Sequence, residues 1–208
     1  MHTHDNFIIL GAVGDIEARL TTHEPCSNQH MALICHPHSL HGGSMDNKVI
    51  TTVARAYAEC AISSVRFNFR GVGNSAGEYA AGIGETADTL TVLQWIQNQF
   101  NPETIDLIGF SFGAFVAYRA ATRWPVARLI SIAPPIPHYD FSAEALPECP
   151  WSIIQPEADE VIDPIAVFAW IDNLAIKPEV YRFAQTSHFF HGKLIQLREQ
   201  LIEIIQND

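Results

Sequence analysis

Positive charge is scarce in this chain. Its 208 residues carry 12 lysines and arginines against 23 aspartates and glutamates, a formal net charge of −11. No basic stripe exists to pair with phosphates, which argues against nucleic acid or an anionic membrane surface as a partner. Long hydrophobic runs are missing too, and no apolar stretch approaches the roughly 18 residues of a membrane span. The four cysteines (Cys26, Cys35, Cys60 and Cys149) stand far apart, without a C-x-x-C spacing. The first residues show no apolar signal-peptide core. Together these two absences predict reduced thiols and a cytoplasmic protein. There is no internal repeat, linker or low-complexity tract, so 1–208 reads as one domain. With 48% hydrophobic residues it can bury a sizeable core.

What is present alternates between two periods. Phe7–Leu10 and Ile16–Leu20 flank Gly-Ala-Val-Gly-Asp and read as an antiparallel hairpin at a sheet edge, preceded by a loose polar end over 1–6. Short apolar strands are predicted at 31–35, 64–69, 126–132, 151–155 and 180–184. Between them run helical stripes: Val49, Val53, Tyr57 and Cys60; then Leu90, Leu93, Ile96 and Phe100; then residues 164–173; and finally Leu194, Leu197, Leu201 and Ile204. A Gly-rich loop covers 71–84 and a proline-rich connector 133–150. Strand alternating with helix predicts an α/β fold, a mostly parallel doubly wound sheet with an N-terminal antiparallel hairpin.

The centre of this pattern is Gly109-Phe110-Ser111-Phe112-Gly113. At average glycine usage, G-x-S-x-G arises by chance in roughly one chain of this length in fifteen. Its placement is what distinguishes it. It follows the apolar Leu107-Ile108 and precedes an alanine-rich helical run. A serine on so sharp a turn takes strained backbone angles and needs the smallest neighbours two residues away. The helix that follows aims its first N–H groups at whatever the serine attacks, which suits a developing oxyanion.

Ligands of such sheets bind outside the carboxyl ends of the strands. Past the 151–155 strand lies Pro156-Glu157-Ala158-Asp159-Glu160-Val161-Ile162-Asp163, and past the 180–184 strand lies Gln185-Thr186-Ser187-His188-Phe189-Phe190-His191. A serine hydroxyl becomes nucleophilic when a histidine takes its proton, and that histidine needs a carboxylate to hold its tautomer. Serine, acid, histidine is the chain order expected for this geometry.

With Cys35-His-Pro-His-Ser-Leu-His-Gly-Gly43, Phe67-Asn-Phe-Arg-Gly-Val-Gly-Asn-Ser75, Gly109–Gly113, Ala158–Val161 and His188-Phe-Phe, the chain resembles the α/β-hydrolase superfamily over nearly its whole length. It is most similar to the small lidless bacterial members related to dienelactone hydrolases and esterases. The resemblance implies Ser111 as nucleophile, Asp159 as acid and His188 as base, with no cofactor. The glycine that usually opens the acid loop is Pro156 here, which leaves Glu157, Glu160 and Asp163 as lesser candidates for the acid. The oxyanion hole would use the N–H of Phe112 and one from the loop after the third strand. Pro37 has no N–H, so that second donor is His38.

Two further patterns compete. His36-Pro-His38-Ser-Leu-His41 imitates a zinc-hydrolase spacing, but Leu40 stands where a carboxylate is needed. Gly71-Val-Gly-Asn-Ser-Ala76 matches a dinucleotide fingerprint, yet it leads into more glycines instead of opening a helix. The expected function is therefore a serine esterase or thioesterase acting on a small-molecule acyl substrate. An inactive binding module on the same fold is the alternative, and a zinc hydrolase a weaker one. Arg70, His36 and Lys48 are candidates to draw an anionic group to the mouth of the site. The connector over 133–150, with Pro134, Pro135, Pro137, Pro147 and Pro150, is expected to take an extended surface path too short for a cap.

Overall fold

The computed structural model describes residues 2–23 and 29–207. Eight strands form one sheet: β1 (His2–Gly11), β2 (Gly14–His23), β3 (His30–Cys35), β4 (Ser63–Phe67), β5 (Thr104–Phe110), β6 (Arg128–Ile132), β7 (Trp151–Pro156) and β8 (Glu179–Phe183). Their spatial order is β1-β2-β4-β3-β5-β6-β7-β8. The pairs β1·β2 and β2·β4 are antiparallel and every other neighbouring pair is parallel.

The helices are α1 (Lys48–Glu59), α2 (Ile83–Phe100), α3 (Phe112–Ala121), α4 (Pro164–Asp172) and α5 (Leu194–Gln206). Strand side chains alternate in direction, so each central strand feeds two cores. Ala32, Ile34, Ile108, Phe110, Ile130 and Ile154 meet α1 and α5 on one face. Their neighbours Met31, Leu33, Leu107, Leu129 and Ile153 meet α2, α3 and α4 on the other. Burial on both faces explains why these strands read as short continuous apolar runs.

Several expectations need correction. Residues 2–6 are not a loose end, because β1 begins at His2 and pairs in register from His2 with His23 to Gly11 with Gly14. A polar edge strand is held by its backbone ladder and shows no apolar alternation for a sequence reading to find. Asn68 and Phe69 lie beyond the end of β4, and Gly84 lies inside α2.

The connector between β6 and β7 builds no cap, but it is not simply an extended surface strand. It makes a single 3-10 turn at Phe141–Ala143 and buries Phe141 to 2% exposure against the core. The Tyr118 hydroxyl donates to the Ala145 carbonyl at 3.1 Å, and Glu144 accepts from Arg119 at 2.8 Å and Arg123 at 2.6 Å. One buried aromatic ring outweighs the preference of its proline neighbours for an extended path, since such a ring removes roughly 150–250 Å² from water.

Of the cysteines, Cys35, Cys60 and Cys149 are free, and Cys26 lies outside the described residues. Among the described residues, no helix is long and apolar enough to cross a membrane.

Candidate active site

Ser111 occupies the turn between β5 and α3 with φ +54° and ψ −123°. Its N–H is held by the Ile132 carbonyl at 2.8 Å, which ties the turn to β6. The flanking glycines are obligatory for steric reasons. A Cβ on Gly109 would stand 2.1 Å from the Gly113 carbonyl oxygen, and one on Gly113 would stand 2.3 Å from that of Cys35 and 2.5 Å from that of His36. Any side chain at either position would force β5, α3 and the loop after β3 apart. That tight packing also brings the 36–38 loop alongside the serine.

Two loops from the far edge of the sheet complete the cluster. The His188 Nε2 lies 3.0 Å from the Ser111 Oγ, and its Nδ1 lies 2.8 Å from the Asp159 Oδ2. The other oxygen of Asp159 accepts the N–H groups of Val161 at 2.9 Å and Ile162 at 2.8 Å. Ser111, Asp159 and His188 are all buried. Asp159 is thus clamped by its own loop and offers its remaining oxygen to the imidazole.

The other three carboxylates of the acid loop are engaged elsewhere. Glu157 accepts from Arg182 at 2.6 Å, and Asp163 caps the start of α4 by accepting the Ile165 N–H at 3.0 Å. Glu160 accepts the backbone N–H of His188 at 3.1 Å, which fixes where that residue sits without touching its ring. This contact joins two loops distant in sequence, and no local pattern announces it. His191 stands three residues after His188 in the same loop. It lies in the turn before α5, exposed, with its Nδ1 3.4 Å from the Ser187 Oγ.

A profile of the alpha/beta hydrolase fold matches residues 37–200. The chain belongs to the alpha/beta-hydrolase family. A structure from Xanthomonas campestris, described as an a/b serine hydrolase without lid, is 44% identical, with a TM-score of 0.93 over 98% of this chain and 94% of that one. An alpha-beta serine hydrolase homologue from Coxiella burnetii is 42% identical, with a TM-score of 0.93 over 97% of each chain. An uncharacterized protein of Rickettsia prowazekii is 34% identical over 193 residues, 88% of this chain and 81% of that protein.

Within this hydrolase, the charged and histidine-bearing residues expected at the mouth are largely engaged in structure. Arg70 forms a two-pronged pair with Asp88 of α2, Nε and Nη2 each donating at 2.8 Å, and is not free to hold a substrate anion. Lys48 is exposed at the first position of α1. Gly71–Ala76 opens no helix. This loop is anchored on Glu17, which accepts from the Asn74 N–H at 2.9 Å, the Asn74 side chain at 2.9 Å and the Asn68 side chain at 2.7 Å. Among the described residues, no three His, Cys, Asp or Glu side chains converge as a metal cluster.

His36 is fully buried and its two nitrogens are both used. Nε2 accepts the Phe69 N–H at 2.9 Å, so Nδ1 carries the proton and donates to the Pro37 carbonyl at 2.6 Å. A zinc ligand set through His36 would have to break one of these bonds. Burial pushes the imidazole down to about 4. The unfolded chain takes up a proton near the ordinary value of about 6.5, which the folded chain refuses until about 4. The stability contributed is therefore complete above about 6.5 and is lost as pH falls toward 4, on the order of 3 kcal/mol in all. His36→Gln keeps an acceptor without the titration. Urea unfolding at pH 7.0 and 4.5 should show the wild type losing more stability than this variant, and equal losses would remove His36 as the cause.

Proposed function

We propose that the protein hydrolyses ester or thioester bonds of small soluble acyl substrates through an acyl-enzyme. The observation that carries this reading is the unbroken hydrogen-bond chain from the Ser111 Oγ through His188 to Asp159. His188 Nε2 takes the hydroxyl proton as Ser111 attacks the carbonyl carbon, then gives it to the leaving oxygen or sulfur. A water molecule repeats the sequence to release the acid. Asp159 holds the proton on Nδ1 so that Nε2 is free to accept, and its charge offsets the imidazolium.

The tetrahedral oxyanion is received by two backbone N–H groups. Phe112 is the first residue of α3, and its N–H has no acceptor within the helix. His38 supplies the second from the loop packed against the elbow. A small-molecule substrate in a cytoplasmic compartment fits the three free cysteines among the described residues and the net charge of −11.

A serine-directed organophosphorus probe should label the purified protein at Ser111, as read by peptide mass mapping. A protein that hydrolyses short esters while ignoring the probe, or loses activity to a chelator, would not be working through this serine. The absence of a cap between β6 and β7 adds a second expectation. Rate should rise hyperbolically with short-chain ester concentration and pass smoothly through the solubility limit. A sharp rise when an emulsion appears would reveal an interface-driven opening that this connector is not built to provide.

A further inference from the structure

An aromatic layer covers Phe112, the residue beside the nucleophile. Phe112 is itself only 1% exposed. The ring of His38 lies 5.0 Å from it between centroids, Tyr139 5.5 Å and Tyr79 5.6 Å. His38 also stacks on Tyr79 at 4.8 Å. These three half-buried residues come from three separate loops: the one after β3, the one between β4 and α2, and the connector between β6 and β7. Burial of so much aromatic surface in independent loops around one residue gives a rigid wall on this flank of Ser111.

The wall has a polar element. The hydroxyl oxygens of Tyr79 and Tyr139 are 3.2 Å apart. Burial and this contact hold the Tyr139 phenol well above its ordinary value, so its proton stays on. Two hydroxyls own two protons, and the bond between them uses one. Among the described residues, neither oxygen has a further side-chain partner in the protein. One O–H therefore remains to donate to a ligand.

Position relative to the chemistry tells which half of a substrate meets this wall. His188 must reach the leaving atom, and its ring packs against Phe110 at 5.1 Å and Phe189 at 5.0 Å, on the flank of β8. The leaving group therefore lies toward the exposed ring of Phe189, since Phe110 is fully buried in the core. The carbonyl oxygen points to the N–H groups of Phe112 and His38. The remaining substituent of the reacting carbon, the acyl group, is left on the flank of His38, Tyr79 and Tyr139.

We propose that Tyr79 and Tyr139, braced by the stacked ring of His38, select an aromatic acyl group that bears an oxygen acceptor. This rests on the ester-hydrolysis reading above and names the substrate class for it. The flat group packs against the tyrosine rings, because His38 is already stacked between His41 and Tyr79, and its oxygen accepts the spare tyrosine proton.

The test compares kcat/KM for methyl esters of acetic, cyclohexylacetic, phenylacetic and 4-methoxyphenylacetic acid, followed by acid release in a pH-stat. Methyl esters keep aromatic character out of the leaving group, and a methoxy oxygen can only accept. The wild type should prefer phenylacetyl over cyclohexylacetyl by roughly three- to tenfold, the scale of an aromatic pair. It should gain a further few-fold for the methoxy compound, the scale of one hydrogen bond. In the double variant Tyr79→Phe, Tyr139→Phe, the methoxy gain should vanish while the phenyl preference remains. A wild-type panel that is flat among the three larger esters, with methyl acetate hydrolysed, would sink the aromatic subsite and leave the esterase reading standing. A methoxy gain that survives in the double variant would remove the tyrosine pair from recognition. Failure to hydrolyse any of the four esters would bring down both readings.

Discussion

Ser111→Ala is expected to reduce turnover of a short-chain ester by on the order of 10⁶, the scale seen when a serine hydrolase loses its nucleophile. The fold should survive. Alanine carries the same Cβ into the same left-handed backbone position, and the bond from the residue 111 N–H to the Ile132 carbonyl does not involve the side chain. What disappears is one hydroxyl and its contact with His188. The stability change should stay within about 1 kcal/mol, because a single intramolecular hydrogen bond contributes little in net terms. Steady-state kinetics and a thermal melt on the same preparation separate the two effects. Turnover within tenfold of wild type in a well-folded variant would mean that another group attacks the substrate.

Asp159→Asn is the second large effect, and its direction follows from the clamp on the carboxylate. The N–H groups of Val161 and Ile162 both point at Oδ1, so an asparagine here keeps its carbonyl oxygen on them. Its amide nitrogen then faces the His188 Nδ1, where the aspartate oxygen had been. A donor facing Nδ1 forces the ring proton onto Nε2. The ring then meets Ser111 with a proton of its own and cannot accept another. The expected loss is on the order of 10⁴ in kcat with the overall shape unchanged. A loss of only about tenfold would shift the role to a neighbouring carboxylate. Glu160 is the first candidate, since it already touches the His188 backbone.

The elbow was legible in the sequence because the constraint at Gly109 is local, although the carbonyls that exclude a side chain at Gly113 belong to Cys35 and His36. The contacts that forbid a side chain at Gly109 come from Gly113 and Ala114, within five residues. The order in which the loops bearing the serine, the carboxylates and the histidine follow β5, β7 and β8 was legible because alternating strands and helices leave few topologies. Other features were not. Arg70 looked available for a substrate until α2 brought Asp88 against it. The histidines at 36, 38 and 41 looked alike as letters but occupy different environments. His36 is a buried neutral bridge, whereas His38 is half-buried in an aromatic stack and His41 is exposed. The aromatic layer over Phe112 left no pattern at all, because its members are scattered over three loops.

By itself the sequence determined the serine turn, the doubly wound α/β architecture and the lack of a cap. Each of these follows from local sterics, from the period of apolar residues, or from the length of one connection. Only the tertiary structure decided which carboxylate faces the imidazole, that 2–6 complete an edge strand, and that the connector returns a buried ring to the core. The His188 Nε2 and Ser111 Oγ are 77 residues apart in the chain and 3.0 Å apart in space. That distance is set by the order of β5, β6, β7 and β8 across the sheet. The choice among Glu157, Asp159, Glu160 and Asp163 turns on hydrogen bonds to backbone and partners that exist only once those strands are side by side.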